Sequence, residues 1–422
     1  MKKNRFAISL FLVMMLLLTA LVLGGCEDPE PAEPPPDDPE EAVFERNIKV
    51  GIVDTYTGPP TVYTYDALDA FELALKEINE EGIHGVEMEF VTRDEEFAPD
   101  QALSWARELV TREEVDVLCG FMSSASALAV SEYVREEQVP MITWAAQSEQ
   151  ITGEAGHSYV FSVVPNTRIS GRAAANFLAE LPYTRYALVG SDFEFGHAII
   201  TRFWDTFQEL RPDAEVVLET YWPVGEADFT PYISSIRGAD PEVVVAAPGG
   251  ADQIPLTKAI GDAELTDEME VYLHIGTDHA ALSALGDEAP EGMYGSSSYH
   301  YYYPETEENL AFAEMFYEEY ERYPNFVGYN GYITAHLIAE AFREAGSLDG
   351  EAFAEALSGL TIDSPVGPIT MREYDNQLIH PFFIGKTAEH PDKPYLISTD
   401  ITMLDGEKIM PPVEEIMEVR GE

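Results

Sequence analysis

The sequence predicts an α/β protein built from two doubly wound units that face each other across a cleft. Three observations support this prediction. The chain has 422 residues, too many for one compact core and enough for two α/β domains. Short apolar strands alternate with amphipathic helices, which is the pattern of a parallel sheet with right-handed crossovers. The alternation restarts after residues 159–165, so a second unit repeats the architecture of the first.

The composition supports large folded cores and excludes one class of partner. Hydrophobic residues make up 45% of the chain and aromatic residues 11%. Acidic residues outnumber basic ones by 77 to 24, which gives a formal net charge of −53. Such a charge repels phosphate backbones, so we expect no nucleic-acid partner. A densely hydrated surface suited to high salt explains the acidity without requiring a cationic ligand.

The first 25 residues are organised like a bacterial secretion signal. Three basic residues precede an apolar run at residues 6–23, and Leu23-Gly24-Gly25-Cys26 follows. That tetrapeptide resembles a lipobox, in which small residues admit the peptidase and the cysteine thiol is acylated. We therefore expect residues 1–25 to be a lipoprotein signal peptide and Cys26 to anchor the protein to a membrane. The alternative is an ordinary signal anchor with a chance cysteine.

Residues 26–46 are predicted to be an acidic, proline-rich tether. Proline and like charges both favour extended backbone, and this segment consists almost entirely of Asp, Glu and Pro. Beyond Cys26 the sequence contains only Cys119, within the apolar stretch 115–121, where a buried thiol behaves as a small hydrophobe. With Cys26 acylated, no disulfide is expected and the fold depends on its apolar cores.

The first unit shows strands and helices in alternation. Residues 48–54 have the pattern of a buried strand, and apolar residues between Ala67 and Ile78 then recur at helical spacing. Further strands are predicted at 86–91, 115–121 and 140–144, and further helices at 99–111 and 125–135.

The second unit repeats this order. Strands are predicted at 186–190, 216–221, 243–247 and 271–275, and helices at 169–181, 197–210, 229–237 and 253–261. An aromatic-rich segment, 292–304, precedes helical patterns at 308–320, 332–345 and 351–357, and residues 361–410 return to short strands. Ligands of open parallel sheets bind beyond the carboxyl ends of the strands, so two such edges facing each other would form a clamp.

Several motifs, taken in order and spacing, are similar to those of one protein family. They are Thr57-Gly58-Pro59, residues 120–125 (GFMSSA), residues 190–196 (GSDFEFG), Asp228-Phe229 and residues 346–360 (GSLDGEAFAEALSGL). Together they resemble the branched-chain amino-acid-binding family of ABC-transporter solute receptors, which has the type I periplasmic-binding-protein fold. The resemblance covers residues 47 to about 390.

The resemblance implies two lobes joined by a three-crossing hinge. The crossings are expected near residues 163–167, 292–298 and 363–369. Lobe 1 would comprise residues 47–163 and 300–363, and lobe 2 would comprise residues 166–292 and 370–415. Each lobe is then discontinuous in sequence, and the ligand is expected between the two.

Candidate binding residues follow the strand ends of the first unit. Ser123 and Ser124 begin a helix, where hydroxyls and free N–H groups favour a carboxylate, although either serine alone would also suit a simple N-cap. The resemblance places the ligand serine at Ser124 and a ligand-binding backbone carbonyl at Ala145. Gln147 stands where the family usually has threonine, which leaves the identity of the ligand open.

The second unit supplies an acidic candidate for ligand binding and some of the aromatic candidates. Asp278 falls where the family has an acidic residue that pairs with a ligand ammonium, and a turn aspartate bonded to its own backbone is the alternative. Phe195 stands where many relatives have tyrosine, so one polar contact is expected to be missing. The residues expected to enclose an apolar or aromatic side chain, unless they are core filler, are Tyr56, Trp144, Tyr299 and Tyr301.

The sequence offers no convincing catalytic or metal site. His274, Asp278 and His279 form a weak cluster of metal-ligand type, and we expect no bound metal there. The HExxH, GxSxG, Walker and GxGxxG patterns are missing from the sequence, so no cofactor and no enzymatic activity are predicted.

The sequence therefore predicts a monomeric, extracytoplasmic, lipid-anchored binding protein without enzymatic activity. It would capture an amino acid, branched-chain or related, and deliver this small-molecule ligand to the permease subunits of an ABC importer. Because Gln147 and Phe195 depart from the family pattern, amides, urea and aromatic carboxylates are alternative ligands. A soluble ligand-sensing co-receptor and an extracytoplasmic hydrolase are the alternative functions.

Overall fold

A computed structural model of the protein describes residues 43–58 and 61–422. The predicted signal peptide, the lipidation of Cys26 and residues 26–42 of the predicted tether lie outside the described residues. The prediction is wrong for residues 43–46, because Phe44 is 8% exposed and packs in the core of the folded region. Within them, no helix combines the length and apolar character needed to cross a membrane. The strands are β1 (Ile48–Asp54), β2 (Met88–Asp94), β3 (Val117–Gly120), β4 (Met141–Thr143), β5 (Val160–Ser162), β6 (Arg185–Ser191), β7 (Glu215–Trp222), β8 (Val243–Ala247), β9 (Glu270–Leu273), β10 (Tyr294–Ser297), β11 (Thr361–Ser364), β12 (Gly367–Met371), β13 (Leu378–Ile379), β14 (Phe382–Ala388) and β15 (Ile397–Leu404).

The helices alternate with these strands in both halves of the chain. They are α1 (Thr61–Glu81), α2 (Pro99–Glu108), α3 (Ser124–Glu137), α4 (Thr167–Ala179), α5 (Glu194–Leu210), α6 (Thr230–Ala239), α7 (Gln253–Asp262), α8 (His279–Leu285), α9 (Glu307–Tyr320), α10 (Phe326–Ala345), α11 (Gly350–Leu357), α12 (Gly406–Ile409) and α13 (Val413–Arg420). The predicted α/β fold class with two wound sheets is confirmed.

The first lobe is the five-stranded sheet β2-β1-β3-β4-β5 with the helices packed on it, and all its strand pairs are parallel. Alternate residues of β1 enter different cores, as the pleat of a strand requires. Val50 and Ile52 pack with α1 and α10 on one face, and Val53 packs with α2 and α3 on the other. Helices cover both faces, which explains why β1 has apolar residues on both sides of the sheet.

The second lobe is the seven-stranded sheet β15-β14-β10-β9-β8-β6-β7 with its helices. Strands β6 to β10 run parallel, and β14 and β15 add an antiparallel edge. Tyr186 and Leu188 of β6 face α4 and α5, while Ala187 and Val189 face α6 and α7. The sheet is therefore doubly wound, but mixed and not wholly parallel.

The segments between the lobes differ in detail from the predicted crossings. Strand β10 pairs within the second sheet up to Ser297, so the chain leaves that sheet at the end of the predicted segment 292–298. Residues 363–369 lie in a small third sheet, β11-β12-β13, whose apolar residues share the core of the first lobe. The chain joins the second sheet only at Phe382. The lobe bounds themselves stay a prediction.

One side chain from the small sheet holds the first crossing in place. The amide nitrogen of Gln377 donates to the backbone oxygens of Ser162 and Val164, at 3.3 and 2.8 Å. Its oxygen accepts from Thr152 and from Asn166, the N-cap of α4. Gln377 is 1% exposed, so these bonds are shielded from water and fix the path of the chain between the lobes.

Candidate functional site

Two strand ends, one in each lobe, carry backbone that is unusual for their residue types. Phe121 follows β3 with a φ of 68°, and Ile275 follows β9 with a φ of 57°. A β-branched residue in the left-handed region is strained, and strained positions cluster at functional sites. The predicted strand 271–275 is wrong at this end because a tight turn stops it at Leu273. Both turns lie at the carboxyl edges where a ligand of this fold class is expected.

The serines of the first lobe are placed as the sequence predicts, at the start of α3. Ser123 is the N-cap, and its hydroxyl oxygen accepts from the N–H of Ser126 at 3.3 Å. Ser124 is the first helical residue, and its oxygen accepts from the N–H of Ser148 at 3.1 Å. The Ser123 hydroxyl therefore has a structural role, while the partner of Ser124 lies in the loop that leads to the other lobe.

Behind these serines lies a carboxylate that the sequence reasoning missed. Oδ1 of Asp54, at the end of β1, accepts from the backbone N–H groups of Thr55 and Met122, both at 2.8 Å. Oδ2 accepts from the indole of Trp144 at 2.6 Å. Burial raises the pKa of Asp54 to about 7, although these donors lower it. The only sequence signal was an aspartate closing an otherwise apolar strand.

The loop after β4 brings Gln147 to the boundary between the lobes. Its backbone oxygen accepts from the N–H of Thr167, the first residue of α4, at 2.9 Å. Ala145, two residues earlier, is buried. Trp144 is fully buried in the first-lobe core, where the amide of Asn330 donates to its backbone oxygen. Its indole thus lies behind the strand ends and is bonded to Asp54.

Asp278 lies at the second strand end and is fully buried. Its Oδ1 caps α8 by accepting from the N–H of Ala280 at 3.1 Å. Its Oδ2 has no hydrogen-bond partner among residues 43–58 and 61–422. Burial raises the pKa of Asp278 to about 7, and the N–H groups of Ala280 and Phe326 oppose that rise. Because Phe326 begins α10 of the first lobe, the carboxyl group sits between the lobes.

The aromatic candidates separate into two groups. Tyr299 is 1% exposed and stacks on Tyr329 at a centroid distance of 4.9 Å, within the first-lobe core. Tyr301 stacks on Tyr323 at 4.0 Å, beside the second strand end. Phe195 lies 5.6 Å from the ring of His274. Tyr56 is half-buried and contacts Tyr65, and its hydroxyl finds no partner in the described part of the chain.

Charged contacts join the lobes beside Gln147. Glu149 accepts from Arg202 of α5 and from Arg168 of α4, the latter at 3.1 Å. Burial raises the pKa of Glu149, but the bonds from Arg202 and the charge of Arg168 outweigh it, so the pKa lies below the ordinary value. The hydroxyl of Ser148 donates to Glu194 at 3.2 Å. The two lobes are therefore in direct polar contact in this structure.

A small cavity lies between the lobes, where the chain crosses from one to the other. Gln147 and Phe326 come to it from the first lobe, and the strained turn at His274 and Ile275 comes from the second. Its complete lining is Gln147, Val164, Pro165, Ser170, His274, Ile275, Ser297, Ser298, Phe326 and Phe382. Of the predicted site residues, only Gln147 reaches this cavity, and no pattern in the sequence points to Ser170 or Ser298.

The weak metal cluster in the sequence does not assemble into a metal site. Across the described ranges, no group of three or more His, Cys, Asp or Glu side chains is placed to hold an ion. His279 is engaged elsewhere, since one of its ring nitrogens bonds to the backbone oxygen of Tyr323 at 3.1 Å.

Comparisons with known sequences and with solved structures both point to solute-binding proteins. A family model described as "Periplasmic binding protein" matches residues 47–391. The leucine-, isoleucine-, valine-, threonine-, and alanine-binding protein of Pseudomonas aeruginosa is 24% identical over 332 residues, which cover 77% of this chain and 86% of that protein. An ABC transporter substrate-binding protein from Sphaerobacter thermophilus has a TM-score of 0.79 and 26% identity, covering 85% of this chain and 98% of that one. A solute binding protein of an ABC transporter from Rhodopseudomonas palustris BisB5, in complex with 3,4-dihydroxybenzoic acid, has a TM-score of 0.77 and 24% identity with the same coverage.

Proposed function

This chain belongs to the periplasmic binding protein family, and on that premise we propose that it captures a small organic solute between its lobes for an ABC importer. It is a solute-binding component of such a transporter and acts outside the cytoplasm. The observation that carries the proposal is the strained strand end at Ile275, which lines a cavity between the lobes together with Gln147 and Phe326 of the first lobe. Solutes of open α/β sheets bind at this edge.

An amino acid is the first candidate ligand. The start of α3 at Ser124 offers a hydroxyl and backbone N–H groups to a carboxylate. Oδ2 of Asp278 offers an acceptor to an ammonium, and an incoming cation would lower the pKa of that carboxyl group. The Pseudomonas aeruginosa relative, by its name, binds leucine, isoleucine, valine, threonine and alanine.

An aromatic carboxylate is the second candidate. Phe195 replaces the family's usual tyrosine and lies against His274, which makes this side of the cleft apolar and aromatic. The Rhodopseudomonas palustris structure contains 3,4-dihydroxybenzoic acid in the same fold. Such a ligand has no ammonium, so its binding would not need the negative charge of Asp278.

The remaining parts of the proposal concern transport and location. Ligand binding would favour the state in which the lobes are in contact, because only that state encloses the solute. The closed, monomeric protein would then dock on the permease subunits. Acylation of Cys26 would keep it at the membrane, and mass spectrometry of the N-terminal peptide from a bacterial host tests this step directly.

A thermal-shift screen tests the proposed function. Purified protein would be heated with aliphatic amino acids, amides, urea and aromatic acids, at low and high salt. A ligand that binds the native state raises Tm with the logarithm of its concentration. A rise with leucine, isoleucine or valine that disappears in Asp278→Asn supports the amino-acid clamp. A rise with aromatic acids that persists in that variant supports the second ligand class, and no rise with any compound contradicts the proposal.

A further inference from the structure

Three buried polar atoms line the interlobe cavity without a hydrogen-bond partner. They are Nε2 of His274 and the hydroxyl oxygens of Ser170 and Ser298, and within the described ranges none of them has a donor or acceptor in reach. The three residues are 2%, 1% and 4% exposed. Buried polar groups in native proteins are almost always paired, so three orphans on one cavity indicate a bound polar group.

The three residues come from separate elements. Ser170 lies in the first turn of α4, His274 follows β9, and Ser298 follows β10. A packing defect within one element would not produce this convergence. The turn at Ile275, whose N–H donates to Ser296 at 3.0 Å, presents the imidazole to the cavity in spite of its left-handed backbone.

The side chains that line the cavity carry no charge at neutral pH, because the lining contains no Lys, Arg, Asp or Glu. Burial lowers the pKa of His274 to about 3, so its ring is neutral at physiological pH. Nδ1 of His274 lies 3.4 Å from the hydroxyl of Ser296, which already accepts from Ile275 and is thus free to donate to Nδ1. That arrangement leaves the proton on Nε2, which becomes a donor towards the cavity.

We propose that this cavity binds a hydroxyl group of the solute through His274, Ser170 and Ser298, and that the protein therefore selects hydroxylated small acids over their deoxy analogues. The inference rests on the proposed function, because it names a substrate class for the same cleft. A ligand hydroxyl accepts from the Nε2 proton and exchanges hydrogen bonds with the two serines. The apolar residues around them, Val164, Phe326 and Phe382, complete a small lining that carries no second charge, so the rest of the solute would lie outside this cavity, in the cleft.

An aliphatic side chain in the same place would leave all three polar atoms unpaired. Sites built to bond a substrate hydroxyl reject the analogue that lacks it, because their buried polar groups then lose their partners. We therefore expect a preference of about tenfold or more for the hydroxylated member of a matched pair. Branched-chain amino acids, which carry no side-chain hydroxyl, would be poor ligands compared with hydroxylated acids.

Calorimetric titration of matched ligand pairs tests the inference. The pairs are 4-hydroxybenzoate with benzoate and threonine with valine, measured on the wild-type protein and on Ser170→Ala, Ser298→Ala and His274→Leu. Ser234→Ala, an exposed serine of α6, is the matched control. We expect the hydroxylated member of any pair that binds to have a Kd lower by about tenfold, and each cavity variant to reduce that ratio towards one.

A second measurement separates a binding role from a structural one. An unpaired buried hydroxyl destabilises the ligand-free protein, so Ser170→Ala and Ser298→Ala should melt no earlier than the wild type without ligand. Loss of the preference at unchanged Tm supports the inference. Equal affinity for both members of each pair, or a preference that survives in all three variants, overturns it while the proposed function stands. If no acid binds, this inference fails, and the proposed function fails with it only if the amides and urea of the thermal-shift screen do not bind either.

Discussion

The ammonium of Lys393 lies 4.5 Å from the ring centroid of Tyr301, inside a cage of tyrosines. Tyr323 and Tyr302 surround the same ammonium at 5.4 and 5.8 Å. Lys393 belongs to the loop between β14 and β15 of the second lobe, whereas Tyr323 lies between α9 and α10 of the first. Within the described part of the chain Lys393 makes no ion pair, so the rings are its main electrostatic partners. The contact therefore joins the two lobes without a carboxylate.

Lys393→Met is expected to weaken this contact and favour separation of the lobes. A cation over aromatic rings contributes about 1 kcal/mol, and methionine keeps the apolar stem while removing the charge. We expect a lower Tm and a larger radius of gyration in small-angle scattering of the ligand-free variant. Lys408→Met is the control, because the Lys408 side chain is 80% exposed. Identical scattering of Lys393→Met and wild type would contradict a role in holding the lobes together.

Asp278→Asn is expected to change how stability depends on pH. The folded pKa of Asp278 lies near 7, above the ordinary value of 3.8, so folding favours the protonated acid. That contribution is complete below about pH 4 and is lost as pH rises towards 7. Asparagine imitates the neutral acid at every pH. The Tm difference, variant minus wild type, should therefore rise between pH 4 and 8.

The exposed Asp287 supplies the control for that titration. Asp287→Asn removes one carboxylate from an exposed position and is measured over the same pH range. A Tm difference for Asp278→Asn that stays constant across the range would show that Asp278 is ionised in the folded protein.

Glu149→Gln is expected to destabilise the contact between the lobes by about 3 kcal/mol. The change leaves Arg168, whose side chain is 6% exposed, and Arg202 without their shared carboxylate. Removing one partner of a buried charged network is costly because the other charges stay buried. Urea unfolding measures the loss. Glu132→Gln breaks an exposed pair with Arg135 and should cost less than about 1 kcal/mol, and equal effects would contradict the argument.

Gly120→Ala is expected to destabilise the first lobe by more than about 2 kcal/mol. Gly120 has a φ of 120°, and a Cβ there would lie 2.3 Å from the backbone oxygen of Val53. The control is Gly238→Ala in α6, where a Cβ meets no atom within 4 Å and alanine should stabilise by about 0.4–1 kcal/mol. A stable Gly120→Ala protein with unchanged ligand binding would contradict the close approach of β3 to β1.

Periodicity was enough to predict most of the fold. Strand β1 matches its predicted bounds, and the helices α1 and α10 were recognised from their apolar spacing but are longer than predicted. The seven-residue α8 and the eight-residue α13 were missed because so few turns give no clear period. The predicted strand 271–275 includes Ile275, but tertiary contacts impose a turn there.

Candidate site residues could be named only near strand ends, where ligands of this fold class bind. The family resemblance singled out Ser124 and Asp278 there, and their ligand roles stay predictions. No sequence pattern points to Ser170 or Ser298 as binding residues. A serine indicates a binding site only once the structure shows that it is buried and has no hydrogen-bond partner. His274 drew notice only as a member of a weak cluster of metal-ligand type at which no metal was expected. Burial of its imidazole, which the sequence does not reveal, makes it a neutral hydrogen-bonding group.

The packing of α10 on α1 has a consequence for how the chain acquires its structure. The apolar face of α1, which includes Phe71 and Ile78, is covered by a helix that begins at Phe326, with most of the second lobe encoded between the two. Closing a loop of that length is slow, and the first lobe cannot mature before the later helix has been synthesised. Strands β6 to β10 follow one another in the chain, so their pairing does not wait for a distant segment. Pulsed hydrogen exchange during refolding should therefore protect β6 and β8 well before β1, although β1 comes first in the sequence.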